Sequence, residues 1–287
     1  MAMIIRGGML ITMTQQGSFV GDVLLHDGQI LRVDERIEDD EGAEVELDAH
    51  GLHIMPAMVD ASIGSFGADP AWLRQSALAC GVTSGLITPY KNGKCTLLDS
   101  GKIRDSSFQM IDMQRSGNTA SSETIRSIAS AGLRPVIRAS DEGSLVGLLS
   151  HLQEAGAILV NPPCAAHAVA LKHAGINVVT GGSAAEDFSD AAALLRAGVP
   201  MAISCCSPRM KLRLLPVLAG LYVRNGMQRK DALSSITRIP AEMLGLSDRG
   251  KIAPGYRADL LIFDGDPLLL ASVHLATIIG GRILRRA

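Results

Sequence analysis

The alternation of apolar and polar positions changes character twice along the chain. Within the first 50 residues, MIIRGGMLIT and GDVLLHDGQILRVDE are β-rich runs, and Asp27-Gly28 stands between two of them as a hairpin turn signal. The charged stretch DERIEDDEGAE, residues 34 to 44, reads as a solvated loop. From residue 54 short apolar strands alternate with helical segments. VTSGLIT (82 to 88), LRPVIRA (133 to 139), AILVN (157 to 161), INVVT (176 to 180) and VPMAIS (199 to 204) follow AWLRQSALACG, SETIRSIASAG, SLVGLLSHLQEAG, HAVALKHAG and DAAALLRAG. Each helical segment ends at a Gly suited to a C-cap. This βα rhythm predicts a parallel sheet with helices outside it, doubly wound or closed into a barrel. The last segment, RADLLIFDGDPL and ATIIGGRILRRA, returns to strands. The two β-rich ends are therefore expected to pair into one small domain, residues 1–53 and 250–287, beside a βα body over 54–249.

One interval departs from the rhythm. Between Pro89 and Arg134 only KCTLLDS (94 to 100) and FQMIDM (108 to 113) stand out, joined by GKIRDSS. Parallel neighbours need a crossover of about a dozen residues or more, so this spacing allows a hairpin but not two parallel strands. The hairpin either fills the gap or serves binding. An open edge or uncovered apolar face near residues 94 to 113 would be hidden by self-association, which makes a homodimer the expectation.

Composition narrows the function classes. A chain of 287 residues, 47% hydrophobic and 20% charged, can bury a large core, and aromatics at 3% leave that core to aliphatic side chains. The net charge of -2 with scattered Lys and Arg excludes a nucleic-acid field. No apolar segment approaches the roughly 20 residues of a membrane span, and MAMIIRGGMLITM lacks a small-residue cleavage site, so the expected location is the cytoplasm. Five Cys (80, 95, 164, 205 and 206), an odd number without a spacing framework, point to reduced thiols. Histidines 26, 50, 53, 151, 173 and 274 fall in the β-rich ends or on helices and suggest no site.

Three stretches carry a resemblance: HIMPAMVDAS, then GVPMAISCCSP, then DALSSITRIPAEMLGLSDRGKIAPGYRADLLIFDGDPL. Together they resemble the amidohydrolase superfamily, in its imidazolonepropionase-like and cyclic-amidohydrolase branch; the last is the most specific, over about 35 residues. The resemblance implies an α/β fold: a distorted and abbreviated TIM-like (β/α) barrel carrying a small β-sandwich built from both termini. It also implies one or two divalent cations held by His residues at strand ends, plus an Asp that moves the proton, on the C-terminal face of the barrel.

At the positions the resemblance assigns to those ligands the chain has other residues. Ser62 and Gly64 stand where a His-x-His pair follows Asp-Ala, Arg138 and Asn161 stand at two later strand ends, and Cys206 takes the place of the proton-shuttling Asp. A thiol of pKa about 8.5 is a poor replacement for that carboxylate. No cofactor is expected on this reading, and the protein is a ligand- or partner-binding scaffold. The competing reading is an active hydrolase of non-peptide C–N bonds with rebuilt chemistry. Cys164, His167, Cys205 and Cys206 follow two strand ends expected to be close, and soft ligands of this kind suit Zn²⁺ or Cu(I); they also suit buried, inert thiols, or a Cys nucleophile lacking an adjacent His. Arg138 suggests a small polar or anionic ligand, with Ser62, Ser140 and Asn161 as donors and Gly181-Gly182-Ser183 as a concave backbone loop. The alternative is that Arg138 pairs with Asp60 or Asp141 and supports the barrel.

Overall fold

The computed structural model describes residues 2–38, 42–65, 67–113, 122–138, 149–162, 167–181 and 188–285. Its strands form two eight-stranded sheets. The first contains β1 (Ala2–Ile11), β2 (Ser18–His26), β3 (Gln29–Asp34), β4 (Val45–Asp48), β5 (His53–Pro56), β14 (Leu260–Phe263), β15 (His274–Ile279) and β16 (Arg282–Arg285). The ends of the chain meet where β5 pairs antiparallel with β14. β1 shares one side between β4, against Met3–Arg6, and β5, against Met9 and Leu10. The register shift that allows this falls between Ile5 and Gly8, with Gly7 at φ 65°, a conformation that glycine adopts without steric cost. The Asp27-Gly28 turn closes the β2–β3 hairpin, both residues at positive φ, as a type I′ turn requires. One face buries Ile5, Leu25, Ile54, Leu260 and Ile278; the other covers a smaller group, Ile4, Leu24 and Ile37.

The second sheet is the barrel: β6 (Met58–Gly64), β7 (Val82–Thr88), β8 (Gly93–Asp99), β9 (Lys102–Asp112), β10 (Arg134–Arg138), β11 (Ile158–Val160), β12 (Asn177–Thr180) and β13 (Met201–Ile203), in sequence order. The described helices are α1 (Pro70–Ala79), α2 (Ser122–Ser130), α3 (Leu149–Glu154), α4 (Ala168–His173), α5 (Phe188–Arg196), α6 (Leu215–Arg224), α7 (Arg229–Ser234) and α8 (Arg238–Met243). α1 starts where Pro70 needs no amide hydrogen bond and the Asp69 carboxylate accepts from Ala71 N. Val59, Leu86, Val136, Ile158 and Ala202 fill the barrel interior, and α8 adds Ala241 and Met243 to the same cluster. Met58, Ile87, Ile137, Leu159 and Met201, one position away on the same five strands, join the cluster that includes Leu152, Leu171, Leu194 and Leu218 of the helices. The period of two in the sequence thus sorts side chains between barrel and helical layer.

The interval that broke the rhythm is part of the barrel. β8 pairs antiparallel with β7 and with β9, while β9 pairs parallel with β10. One reversed strand therefore lets a meander supply two barrel positions without a helical crossover. GKIRDSS, read as a joining segment, lies mostly within the 11-residue β9. Both edges of the hairpin are paired, so the open strand edge expected near residues 94 to 113 does not exist. The barrel seam lies between β6 and β13. Val59 N donates to Ile236 O and Ile203 N to Ser235 O, both at 2.9 Å, so the α7–α8 connection wedges into the seam near the start of β6. Toward the end of β6, Gly64 N donates to Ser207 O at 2.8 Å.

Candidate functional site: the barrel mouth

The seam places a carboxylate at the mouth. Asp60 is fully buried; its Oδ1 accepts from Ser204 Oγ at 2.5 Å and from Ser62 N at 2.9 Å, and its Oδ2 accepts from Cys205 N at 3.3 Å. The β6–β7 register shift between Asp60 and Ile63 lets the chain turn back on this carboxylate. Burial raises its pKa above the usual carboxylate value, against the lowering effect of these three hydrogen bonds. Ser62 Oγ, beside it, is buried and has no hydrogen-bond partner among the described residues.

Arg138, at the end of β10, lies directly across from Asp112 in the parallel register. Its Nη1 donates to Asp112 Oδ2 at 2.6 Å, with the Asp112 side chain wholly inaccessible. Among the described residues the partner of Arg138 is Asp112 and not Asp60, which is engaged by Ser204 and two main-chain amides; Asp141, the other expected partner, lies outside the described residues. Asn92, in the β7–β8 turn, accepts at Oδ1 from Asp112 N at 2.8 Å and fixes the end of β9.

At the next strand ends Asn161 closes a two-point contact with Gly181: Nδ2 donates to Gly181 O at 2.8 Å, and Oδ1 accepts from Gly181 N at 2.9 Å. Gly181 has φ 124°, and a Cβ there would collide with Ser204 O, so only glycine lets β12 approach β13 this closely. Asn161 Nδ2 also lies 3.7 Å from Cys206 Sγ. Burial foremost, then the charge of Asp60, pushes the Cys206 thiol up to about 11, so it is protonated at neutral pH and a weak nucleophile.

Cys205 and Cys206 diverge. Cys206 packs in the barrel interior. Cys205 packs with the helical layer, and its Sγ lies 3.4 Å from Lys211 O; burial also pushes its thiol up. His167 starts α4, while Cys164 lies outside the described residues, as do Ser140, Gly182 and Ser183. The described members of the soft-ligand set do not converge.

The residues at the implied ligand positions do not fit a divalent cation. Gly64 offers no side-chain donor, Arg138 is itself a cation, the Asn161 amide is spent on Gly181, and the Cys206 thiol stays protonated. Among the described residues no group of three or more His, Cys, Asp or Glu side chains is placed to hold a metal. Asp112, Ser204 and Asn92 are the participants that sequence reasoning missed. Asp112 ends FQMID as Arg138 ends RPVIR, a parallel signal that reading 94 to 113 as a hairpin alone concealed.

Comparison with known proteins agrees with this architecture. A profile described as "Amidohydrolase family" matches residues 209–285. An imidazolonepropionase of Cereibacter sphaeroides is 42% identical over 80 residues, covering 26% of this chain and 20% of that protein. A dihydroorotase of Anaplasma phagocytophilum is 48% identical over 64 residues, covering 22% and 14%. The chain thus matches about a fifth or less of the length of these relatives. The crystal structure of an amidohydrolase from Thermotoga maritima superposes with a TM-score of 0.85 at 22% identity, covering 99% of this chain and 100% of that one. The chain as a whole thus shares the fold of that amidohydrolase, and its residues 209–285 match the amidohydrolase family in sequence.

Proposed function

We propose that this protein is an amidohydrolase-fold binding protein whose barrel mouth takes a small polar or anionic ligand, without the metal-dependent hydrolysis the fold implies. The observation that carries the reading is the pairing of Arg138 with Asp112 at a strand end where a metal ligand would stand. A guanidinium there repels a nearby cation by several kcal/mol at about 4 Å and an effective dielectric near 20. The profile match begins at residue 209, after Cys206, so the matched stretch speaks for fold and leaves the strand-end chemistry open. Support for a ligand comes from Ser62 Oγ, buried and unpartnered among the described residues, because such a group is costly unless something bonds it. Arg138 adds donors beyond the nitrogen that meets Asp112; Asn161 and Gly181 complete the proposed surroundings among the described residues.

The same reading takes residues 1–53 and 250–287 as one composite domain and 54–249 as the barrel, in a cytoplasmic homo-oligomer. The cross-terminal pairing of β5 with β14 supports the first part. No helix among the described residues is long and apolar enough to cross a membrane.

Elemental analysis of the purified protein, an amide and lactam panel, and thermal-shift measurements test the proposal together. The expected result is substoichiometric Zn, Fe and Mn, no turnover, and a rise in Tm with phosphate, sulfate or a small dicarboxylate. Ser62→Ala is expected to leave the ligand-free Tm unchanged or slightly raised while reducing that rise. One equivalent of bound metal, with hydrolysis lost in Cys206→Ala, would overturn the reading and support the rebuilt thiolate–metal hydrolase.

A further inference from the structure

At the other end of the barrel lies a cavity of about 790 Å³, within the range of small-molecule sites, roughly 300–1,000 Å³. It sits where the β1–β2 turn of the terminal sheet, the α7–α8 segment and the 251–256 loop meet. The wedge residue Ile236 bonds Val59 near the start of β6. None of the mouth residues Asp60, Ser62, Arg138, Asn161 and Cys206 lines this cavity.

Its lining has a one-sided charge. Arg229, Lys230, Arg238 and Lys251 contribute to the wall, and no described lining residue is acidic. Three of these cations have carboxylate partners outside the lining: Arg229 pairs with Asp266, Arg238 with Glu242 at 3.0 Å, and Lys251 with the same Glu242 at 3.7 Å. Lys230 is exposed and has no ion pair among the described residues. Four cations against two carboxylates leave a net positive wall, which attracts an anion more strongly in a partly enclosed cleft than on an open surface. The remaining wall is mainly apolar, with Met13, Leu233, Ala253 and the Tyr256 ring. Met13 is held in the left-handed region at φ 59°, and its Sδ lies 3.7 Å from Ser234 Oγ. The turn is thereby tied to α7, and the apolar part of the wall is positioned before any ligand arrives.

We infer that this cavity is a second ligand site, distinct from the mouth, for a small organic anion: a phosphate or carboxylate carried on an apolar body. The anionic group meets Lys230 and Lys251, and the apolar body covers Met13 and Leu233. Charge supplies attraction and the apolar wall supplies selectivity over an inorganic ion.

Isothermal titration of the full chain with phenyl phosphate, octanoate and inorganic phosphate tests this. Saturable binding of phenyl phosphate or octanoate, tighter than that of inorganic phosphate, is expected; which of the two binds distinguishes a phosphate head from a carboxylate head. Lys230→Glu, an exposed replacement, is expected to weaken that binding about tenfold or more, and Lys251→Gln to weaken it in the same direction. Ser62→Ala at the mouth should leave it unchanged. Absence of saturable binding of either compound at millimolar concentration, or binding that survives Lys230→Glu intact, would overturn the inference. Binding abolished by Ser62→Ala would assign it to the mouth and overturn the inference equally.

Discussion

Two buried arginines separate the stretch that matches the amidohydrolase family from the mouth that precedes it. Arg249, inside the matched stretch, has a side chain only 5% exposed and reaches three carboxylates: Asp99 of β8 at 2.5 Å, Asp259 next to β14 at 3.7 Å, and its neighbour Asp248. Asp259 in turn accepts from Ser100 Oγ and, at 2.8 Å, from Gly280 N. This one cluster joins the barrel to the terminal sheet. Among the described residues Arg138 reaches one carboxylate, and both partners sit at the ends of adjacent barrel strands. A charge buried in a shared network organises several elements; a charge buried in a single pair cancels its own desolvation and little more. The difference teaches that the matched stretch carries interactions that assemble the fold, and that the mouth can change its chemistry without disturbing them.

The comparison breaks if Arg249 proves dispensable. Arg249→Ala takes the buried guanidinium out of this cluster, leaving Asp99 only Arg104 at 2.9 Å and Asp259 only Arg257 at 3.9 Å, and is expected to destabilise the protein by about 3–5 kcal/mol, read as a lower urea midpoint. A loss below about 1 kcal/mol would place it with ordinary surface substitutions and remove the contrast. Arg138→Ala should cost about 3 kcal/mol, because the wholly buried Asp112 carboxylate loses its guanidinium. Replacing both partners, Arg138→Met with Asp112→Leu, is expected to recover most of that loss in the same denaturation experiment, whereas no paired replacement does so for the Arg249 network.

The smallest effect sharpens the picture of the mouth through pH. The carboxyl of Asp60 has its pKa raised by burial in the folded state, so the fold holds a proton that the unfolded chain releases. Its contribution to stability is therefore fully present below the usual carboxylate value of 3.8 and is lost as pH rises through the folded pKa. Denaturation midpoints measured across acidic to neutral pH should show this decline in the parent protein and a flatter profile in Asp60→Asn. Identical slopes would mean that Asp60 ionises in the fold as it does in the unfolded chain.

Much of the barrel was legible because its signals are local. VTSGLIT became β7 over the same residues, Val82–Thr88, and INVVT became β12 with one residue trimmed; a short apolar run bounded by Gly is a strand signal whatever its neighbours do. Strand direction is not a local property. Nothing in KCTLLDS says that β8 runs against β7 and β9, and without that reversal the pairing of Asp112 with Arg138 is hidden. The same limit applied to the vicinal cysteines: adjacency suggested joint action, while Cys205 joins the helical layer and Cys206 the interior. The orphan hydroxyl of Ser62 depends on the register shift in β6, which no residue pattern announces.

The reversed strand also bears on how the barrel is completed. β7, β8 and β9 are consecutive and joined by short turns, residues 89 to 92 and 100 to 101, with Ser100 and Gly101 both at positive φ. Each pairing in this meander closes a loop of a few residues, whereas the parallel pairs β10–β11, β11–β12 and β12–β13 each wait for a whole crossover segment to be placed. Chain entropy lost on closure grows with loop length, and contacts close in sequence form soonest. Residues 82 to 112 are thus the sector a growing or refolding chain can assemble first, a three-strand template on which the slower parallel strands add from the β9 edge.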